Sequence, residues 1–280
     1  MQAPLTLLAE LQESQATGRI AEIYDEIRRF SGVPYVSSLQ RYLATLPGVL
    51  EWAWDAVRPA MASGVIPETG WRLATDVRVS PAEAIPPATL EGWQVDAAGL
   101  TAIRAIAANF VRVSPVNLVM GACLSRLLTE PAPAGAGYTI AWTPPAMLPP
   151  MPGNADPGDL PEDERAVLLR FATEVDGVPF IPALYRQLAH WPAVLAWLAD
   201  ELAPRFLAPD TEAARASFQA AARAAAAKIV AGLPTPQGAP PDAEATQHVL
   251  AAVERYAVTS PEMTMFGQLI LDALPEHVRA

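Results

Sequence analysis

Residues 32–61 and 177–206 are two versions of one segment. Set 145 residues apart, they agree at thirteen of thirty positions without a gap, among them Gly32/Gly177, Pro34/Pro179, Arg41/Arg186, Pro47/Pro192, Trp52/Trp197 and Asp55/Asp200. A second correspondence, Ser114-Pro115 with Ser260-Pro261 and Gly121 with Gly267, keeps an offset of 146. A duplication with almost unchanged spacing makes each copy the same supersecondary unit, and two such units are expected to pack together as a pseudo-dimer. The organisation expected is a helical repeat over 1–130, a connector over 131–160 and a second helical repeat over 161–280.

The expected fold class is all-α. Ile20, Ile23, Tyr24 and Ile27 recur at helical spacing within 19–30, and 162–175 is the matching stretch of the second copy. A Gly-Val-Pro turn follows in each copy; the glycine suits a helix C-cap and the proline stops propagation. A short helix then carries Leu39 and Leu43. Pro47 and Pro192 stand where the next helix begins, through Trp52–Met61 and Trp197–Phe206. Residues 210–232 are alanine-rich and helical by propensity. Helices are expected over 97–110 and 243–256. Ser114-Pro115 and Ser260-Pro261 then read as N-caps with proline in the first turn, opening closing helices over 116–128 and 262–274. No sustained strand pattern is present. The connector holds eight prolines and reads as extended, able to lie on the surface through Tyr138, Trp142 and Met147.

Composition narrows the partners. Hydrophobic residues make up 51 % and charged residues 18 %, with a net charge of −11 and a pI of about 4.7. This acidity argues against nucleic acid and anionic membrane surfaces, which both need positive charge. No uncharged apolar run reaches the length of a membrane span, and the N-terminus lacks a signal-peptide pattern, so a cytoplasmic location is expected. Cys123 is the one cysteine, which excludes an internal disulfide and a Cys-x-x-Cys motif; it reads as a small buried hydrophobe.

His190, His248 and His277 lack metal-ligand spacing, so no metal is expected. Nucleotide fingerprints and the nucleophile elbow are absent, so nucleotide use has no support. Glu22, Asp25 and Glu26 share a helix with Arg28 and Arg29 and read as a solvated, salt-bridged face. Asp55 and Asp200 are the acids that both copies keep in the long match, and read as scaffold residues, for instance pairing with Arg41 or Arg186. Those two arginines sit in otherwise apolar short helices, where an unpaired guanidinium is costly. Each needs an internal carboxylate, carbonyls or the carboxylate of a ligand. An inter-repeat interface is a natural place for such a ligand pocket.

The stretches Ile23-Tyr24-x-Glu26-Ile27-Arg28, Val33-Pro34-Tyr35-Val36 and Arg41-x-Leu43-Ala44-Thr45-x-Pro47-Gly48 resemble the group I 2-haloacid dehalogenases. So does Leu188-Ala189-x-Trp191-Pro192-x-Val194-Leu195 in the second copy. The resemblance implies an all-α pseudo-dimer, assembled as a homodimer, that needs no metal or organic cofactor. Members hydrolyse short 2-halocarboxylic acids, an aspartate activating water for direct attack on the halogen-bearing carbon. By this resemblance the substrate pocket includes Tyr35, Ser38, Ser114 and Leu184; Arg41, from its charge in an apolar helix, is a further substrate-binding candidate. The family's aspartate, seven residues before Trp-Pro, falls on Leu184; its asparagine falls on Ser114; its aromatic pair falls on Tyr35 and Ser38. The nearest acid upstream is Asp176. Three readings follow: a protein that binds a small carboxylic acid without hydrolysing it, a hydrolase with a relocated base such as Asp176, or a non-catalytic structural protein.

Overall fold

A computed structural model of the chain describes residues 9–175 and 178–276. Asp176 and His277 lie outside the described residues. The first copy begins with α1 (Gly18–Ser31), α2 (Ser38–Leu43) and α3 (Val49–Ala62) and continues with α4 (Val65–Thr75), α5 (Pro87–Gly92) and the long α6 (Ala97–Thr129). The second has α7 (Glu162–Leu169), a hairpin of β1 (Thr173–Val175) and β2 (Val178–Phe180), then α8 (Ala183–Leu188), α9 (Pro192–Leu202), α10 (Pro209–Gly232) and the long α11 (Ala243–Ala273). The fold is all-α, as expected, apart from that hairpin. The helix expected over 162–175 ends instead at Leu169, and Thr173–Val175 pairs antiparallel with Val178–Phe180.

The Ser-Pro dipeptides do not start helices. Ser114-Pro115 lies inside α6 and Ser260-Pro261 inside α11. The real N-caps are Asp96 and Asp242, 146 residues apart. Asp96 accepts the Gly99 N–H at 2.7 Å and Asp242 accepts the Ala245 N–H at 2.8 Å. A proline inside a helix leaves the carbonyl four residues earlier without a donor. For Pro261 that carbonyl belongs to Ala257, and Gln219 on α10 donates to it at 2.6 Å. Near Pro115, Trp71 on α4 donates its indole N–H to the Arg112 carbonyl at 2.8 Å. In α11 a donor from a packed neighbour thus serves the carbonyl that Pro261 leaves open.

α6 and α11 cross at the centre of the molecule with a reciprocal contact. A Cβ on Gly121 would meet Val253 at 3.3 Å; one on Gly267 would meet the Ala107 carbonyl at 3.3 Å and Val111 at 2.9 Å. Gly121 and Gly267, and Ala107 and Val253, stand at the same 146-residue offset, so the crossing brings together matched positions of the two copies.

Each of the two hydrophobic cores mixes both copies. The first joins α1–α3 and the second half of α6 to Phe218, Ala226 and Ile229 of α10 and to Val249 and Val253 of α11. The second joins α8, α9 and the second half of α11 to Leu90 of α5 and to Leu100, Ile103 and Ile106 of α6. Each long helix therefore serves one core before its proline and the other after it. By length and composition α6 is the one described helix able to cross a membrane, but 78 % of its apolar window is buried inside the protein.

The connector is a packed strap. Tyr138 donates to the Ile229 carbonyl at 2.8 Å and Trp142 to Glu68 at 2.9 Å. Gly64, at φ 80°, leaves the space that the Trp142 ring fills. Met147, expected against the surface, is 50 % exposed.

Candidate functional site

A cavity of about 560 Å³ lies between the copies. Its walls come from α2 and α8, from the middle of α6 and α11 beside the two prolines, from residues 10–13 and from connector residues 150–154. α2 and α8 present one face each. On α2, Ser38 and Arg41 turn to the cavity while Leu39 and Leu43 enter the first core. On α8, Ala183, Arg186 and Gln187 turn to the cavity while Leu184 and Leu188 enter the second core. Residues three and four apart share a helix face, so the leucines claim one side of each short helix and the arginines the other.

Of the residues expected at the site, Tyr35, Ser38, Arg41 and Ser114 all line this cavity. Leu184 does not. It is 0 % exposed and packed in the second core, one helical step from the wall. The cavity-facing residue there is its neighbour Ala183.

The two symmetry-related arginines meet different fates. Arg41 pairs with Glu10 at 2.8 Å and also donates to Ser38 Oγ and Gln12 Oε1, both at 3.3 Å. Arg186 donates its Nε–H to the Ala155 carbonyl at 3.2 Å and, among the described residues, has no carboxylate within salt-bridge distance. Burial lowers its pKa from the ordinary arginine value; the fields of Asp156 and Glu10 favour the cation and that of Arg41 opposes it. A guanidinium nonetheless stays charged in a protein. Arg186 is thus a partly desolvated cation on a cavity wall with most of its donors unspent.

Hydroxyls and amides cover much of the rest. Asn117 donates to Ser37 Oγ at 2.8 Å and accepts from Gln40 at 2.9 Å. Tyr35 and Tyr256 line the cavity, and burial raises the pKa of both, so both hydroxyls stay protonated. Among the described residues the cavity carboxylates are Glu10 and Glu13, each facing an arginine: Glu10 meets Arg41, and Glu13 meets Arg28 and also accepts the Val36 N–H at 2.9 Å. No group of three described His, Cys, Asp or Glu side chains could hold a metal ion.

Other candidates take structural places. Asp55 pairs with Arg19 at 2.8 Å and Asp200 with Arg170 at 2.7 Å, in place of Arg41 and Arg186. His190 contacts the Gly153 carbonyl at 2.8 Å. Cys123 is fully buried, and burial pushes its thiol up to about 12. A larger groove of about 780 Å³ runs past Trp71, Val111 and Leu269. Its arginines also meet backbone carbonyls: Arg112 donates to Ala146 at 3.0 Å and Arg78 to Val77 at 2.8 Å, and like Arg186 neither has a described carboxylate within salt-bridge distance.

Sequence reasoning missed Glu10, Glu13, Asn117, Gln187, Tyr256 and the connector stretch 150–154. The connector and the N-terminal segment lie outside the repeat match and so carry no duplicated signal. Asn117 was within reach, standing one helical turn after Ser114.

Comparison with solved structures agrees with this architecture. A D-2-haloacid dehalogenase mutant in complex with D-2-CPA superposes with a TM-score of 0.72 at 18 % identity, covering 95 % of this chain and 96 % of that one. A D-2-haloacid dehalogenase with L-LA gives 0.72 at 19 %, covering 98 % and 99 %. A further D-2-haloacid dehalogenase mutant gives 0.71 at 20 %, with the same coverage. The chain therefore has the fold of these enzymes over nearly its whole length. No family model matches the sequence, and no curated protein matches it significantly.

Proposed function

We propose that this chain is a diverged relative of the 2-haloacid dehalogenases that binds a small organic carboxylate between its two copies and does not hydrolyse it. The observation that carries the reading is Arg186, a partly desolvated cation on the cavity wall with no carboxylate partner among the described residues. An unpaired charge in such a place is costly, and a ligand carboxylate would offset that cost through charge-assisted, bidentate hydrogen bonds. The α8 wall supports the second half of the reading. Both the position matched to the family's aspartate, Leu184, and its cavity-facing neighbour, Ala183, are apolar. General-base activation of the water that displaces a halide needs a base within hydrogen-bond reach of that water. Glu10 and Glu13 are the described acids on the walls, and each is engaged by an arginine, Arg41 and Arg28.

Chloride release from 2-chloropropionate, measured beside binding of the same acid, tests this. Saturable binding with no release above the buffer rate is the expected outcome. Release by the wild type would instead favour a relocated base, and Asp176→Asn and Glu10→Gln would then identify which acid serves.

A further inference from the structure

Two segments unrelated in sequence dock against the matched arginines in the same way. Leu11 donates its N–H to the Arg41 carbonyl and Ala155 its N–H to the Arg186 carbonyl, each at 3.0 Å. The residue before each contact lines the cavity, and there the two sides differ: Glu10 on one, Asn154 on the other. Glu10 pairs with Arg41 at 2.8 Å, and the two side chains are 20 % and 15 % exposed, so the pair escapes much of the screening that weakens surface pairs. Arg186 meets the Ala155 carbonyl instead. These groups form one cluster, because the charges of both Glu10 and Arg41 act on Arg186.

The charged side chains on the described walls are Glu10, Glu13, Arg41 and Arg186. Asp156, which also acts on Arg186, does not line the cavity. Glu13 is held by Arg28 and by the Val36 N–H at 2.9 Å, and Glu10 offsets Arg41. One positive charge is left for a ligand to neutralise. From this balance we infer that Glu10 is a built-in carboxylate: it takes the second arginine out of use and restricts the cavity to acids with a single carboxylate. The inference rests on the carboxylate-binding reading above and adds the residue that sets its selectivity. A second ligand carboxylate would have to lie beside Glu10 or displace it from Arg41, and like charges brought together at a binding site are a means of rejecting the wrong partner. Without Glu10 the cavity would present two arginines that lack a carboxylate, an arrangement suited to a dicarboxylate.

Three pairs of acids matched in carbon number test this: butyrate with succinate, valerate with glutarate and hexanoate with adipate. Each is titrated calorimetrically into wild type, Glu10→Gln, Glu13→Gln and Arg186→Gln, with thermal melting to check that every variant is folded. Glu10→Ala repeats the first substitution without an amide that Arg41 could hold. Wild type should bind the monocarboxylate of each pair more tightly. In both Glu10 variants at least one dicarboxylate should gain about tenfold or more on its partner, the scale on which a like-charge contact is relieved. Glu13→Gln removes the same charge from the same cavity but frees neither Arg41 nor Arg186, and should leave the wild-type order unchanged. A wild type that prefers dicarboxylates, no relative gain in the Glu10 variants, or the same gain in Glu13→Gln overturns the inference. If in such a case monocarboxylates still bind wild type and are lost in Arg186→Gln, the carboxylate site itself stands. If no acid binds wild type or any variant, both fail.

Discussion

Gln219 donates to the carbonyl of Ala257, the acceptor that Pro261 leaves without its helical partner. Two segments nearly forty residues apart thereby keep α11 continuous beside the cavity. Gln219→Leu should destabilise the chain by ~1–3 kcal/mol, the cost of an unsatisfied carbonyl. Pro261→Ala returns an N–H to that carbonyl, so the same Gln219 change should cost less in its background. A double-mutant cycle by urea denaturation reads the difference; additive effects would mean that Gln219 acts elsewhere.

The central crossing should tolerate its two glycines unequally. A methyl at Gly267 would meet Val111 at 2.9 Å and the Ala107 carbonyl at 3.3 Å, and the carbonyl is backbone that cannot swing away. Gly267→Ala should cost ~1–3 kcal/mol. At Gly121 the neighbour is a valine side chain at 3.3 Å, and the helix-propensity gain of alanine offsets much of the crowding. Gly121→Ala should stay within ~1 kcal/mol of wild type in the same denaturation experiment.

The orientation of α8 is testable by placing the same acid on its two faces. Leu184→Asp sets a carboxylate in the second core, where Leu184 is 0 % exposed, and should cost more than ~3 kcal/mol or prevent folding. Ala183→Asp sets it on the cavity wall near Arg186 and should be tolerated within ~1 kcal/mol. Circular dichroism melts of the two variants decide this; the reverse order would place Leu184 on the cavity.

Much of this was legible in the residues. The repeat is read directly from the sequence, and in the first copy the helical spacing was correct from α1 to α3. The Ser-Pro pairs misled because proline in a first turn and proline in a helix interior have the same local sequence. In the second copy what distinguishes them is a donor supplied from far along the chain, Gln219 to the Ala257 carbonyl. The cavity was half visible: Tyr35, Ser38 and Ser114 were placed by resemblance and Arg41 by its charge in an apolar helix, and all four line it. Leu184 was placed by counting along the chain, while the face of α8 is set by the apolar pair Leu184 and Leu188, which must both point to a core. Glu10 and residues 150–154 belong to segments with no counterpart in the other copy, so only tertiary packing brings them to the site.

Acid should weaken one surface tie. Glu26 accepts from Trp54 at 2.8 Å and from Arg58 Nε at 2.8 Å and Nη2 at 2.5 Å. The Arg58 bonds outweigh the opposing effect of burial and hold the carboxyl below its ordinary pKa. A carboxyl whose folded pKa lies below its unfolded value stabilises the fold above the unfolded pKa and loses that contribution as pH falls through the folded one. Glu26→Gln should therefore be less stable than wild type by ~1–2 kcal/mol at neutral pH, with the gap closing below about pH 4. Melting curves at neutral and acid pH check the sign; a gap that grows with acid would contradict it.

The most direct test of the carboxylate site is a calorimetric titration of 2-chloropropionate into wild type and Arg186→Gln under identical conditions. Saturable binding to wild type that is lost in the variant is the result expected if Arg186 anchors an acid between the two copies. Equal binding to both, or none to the wild type, would contradict it.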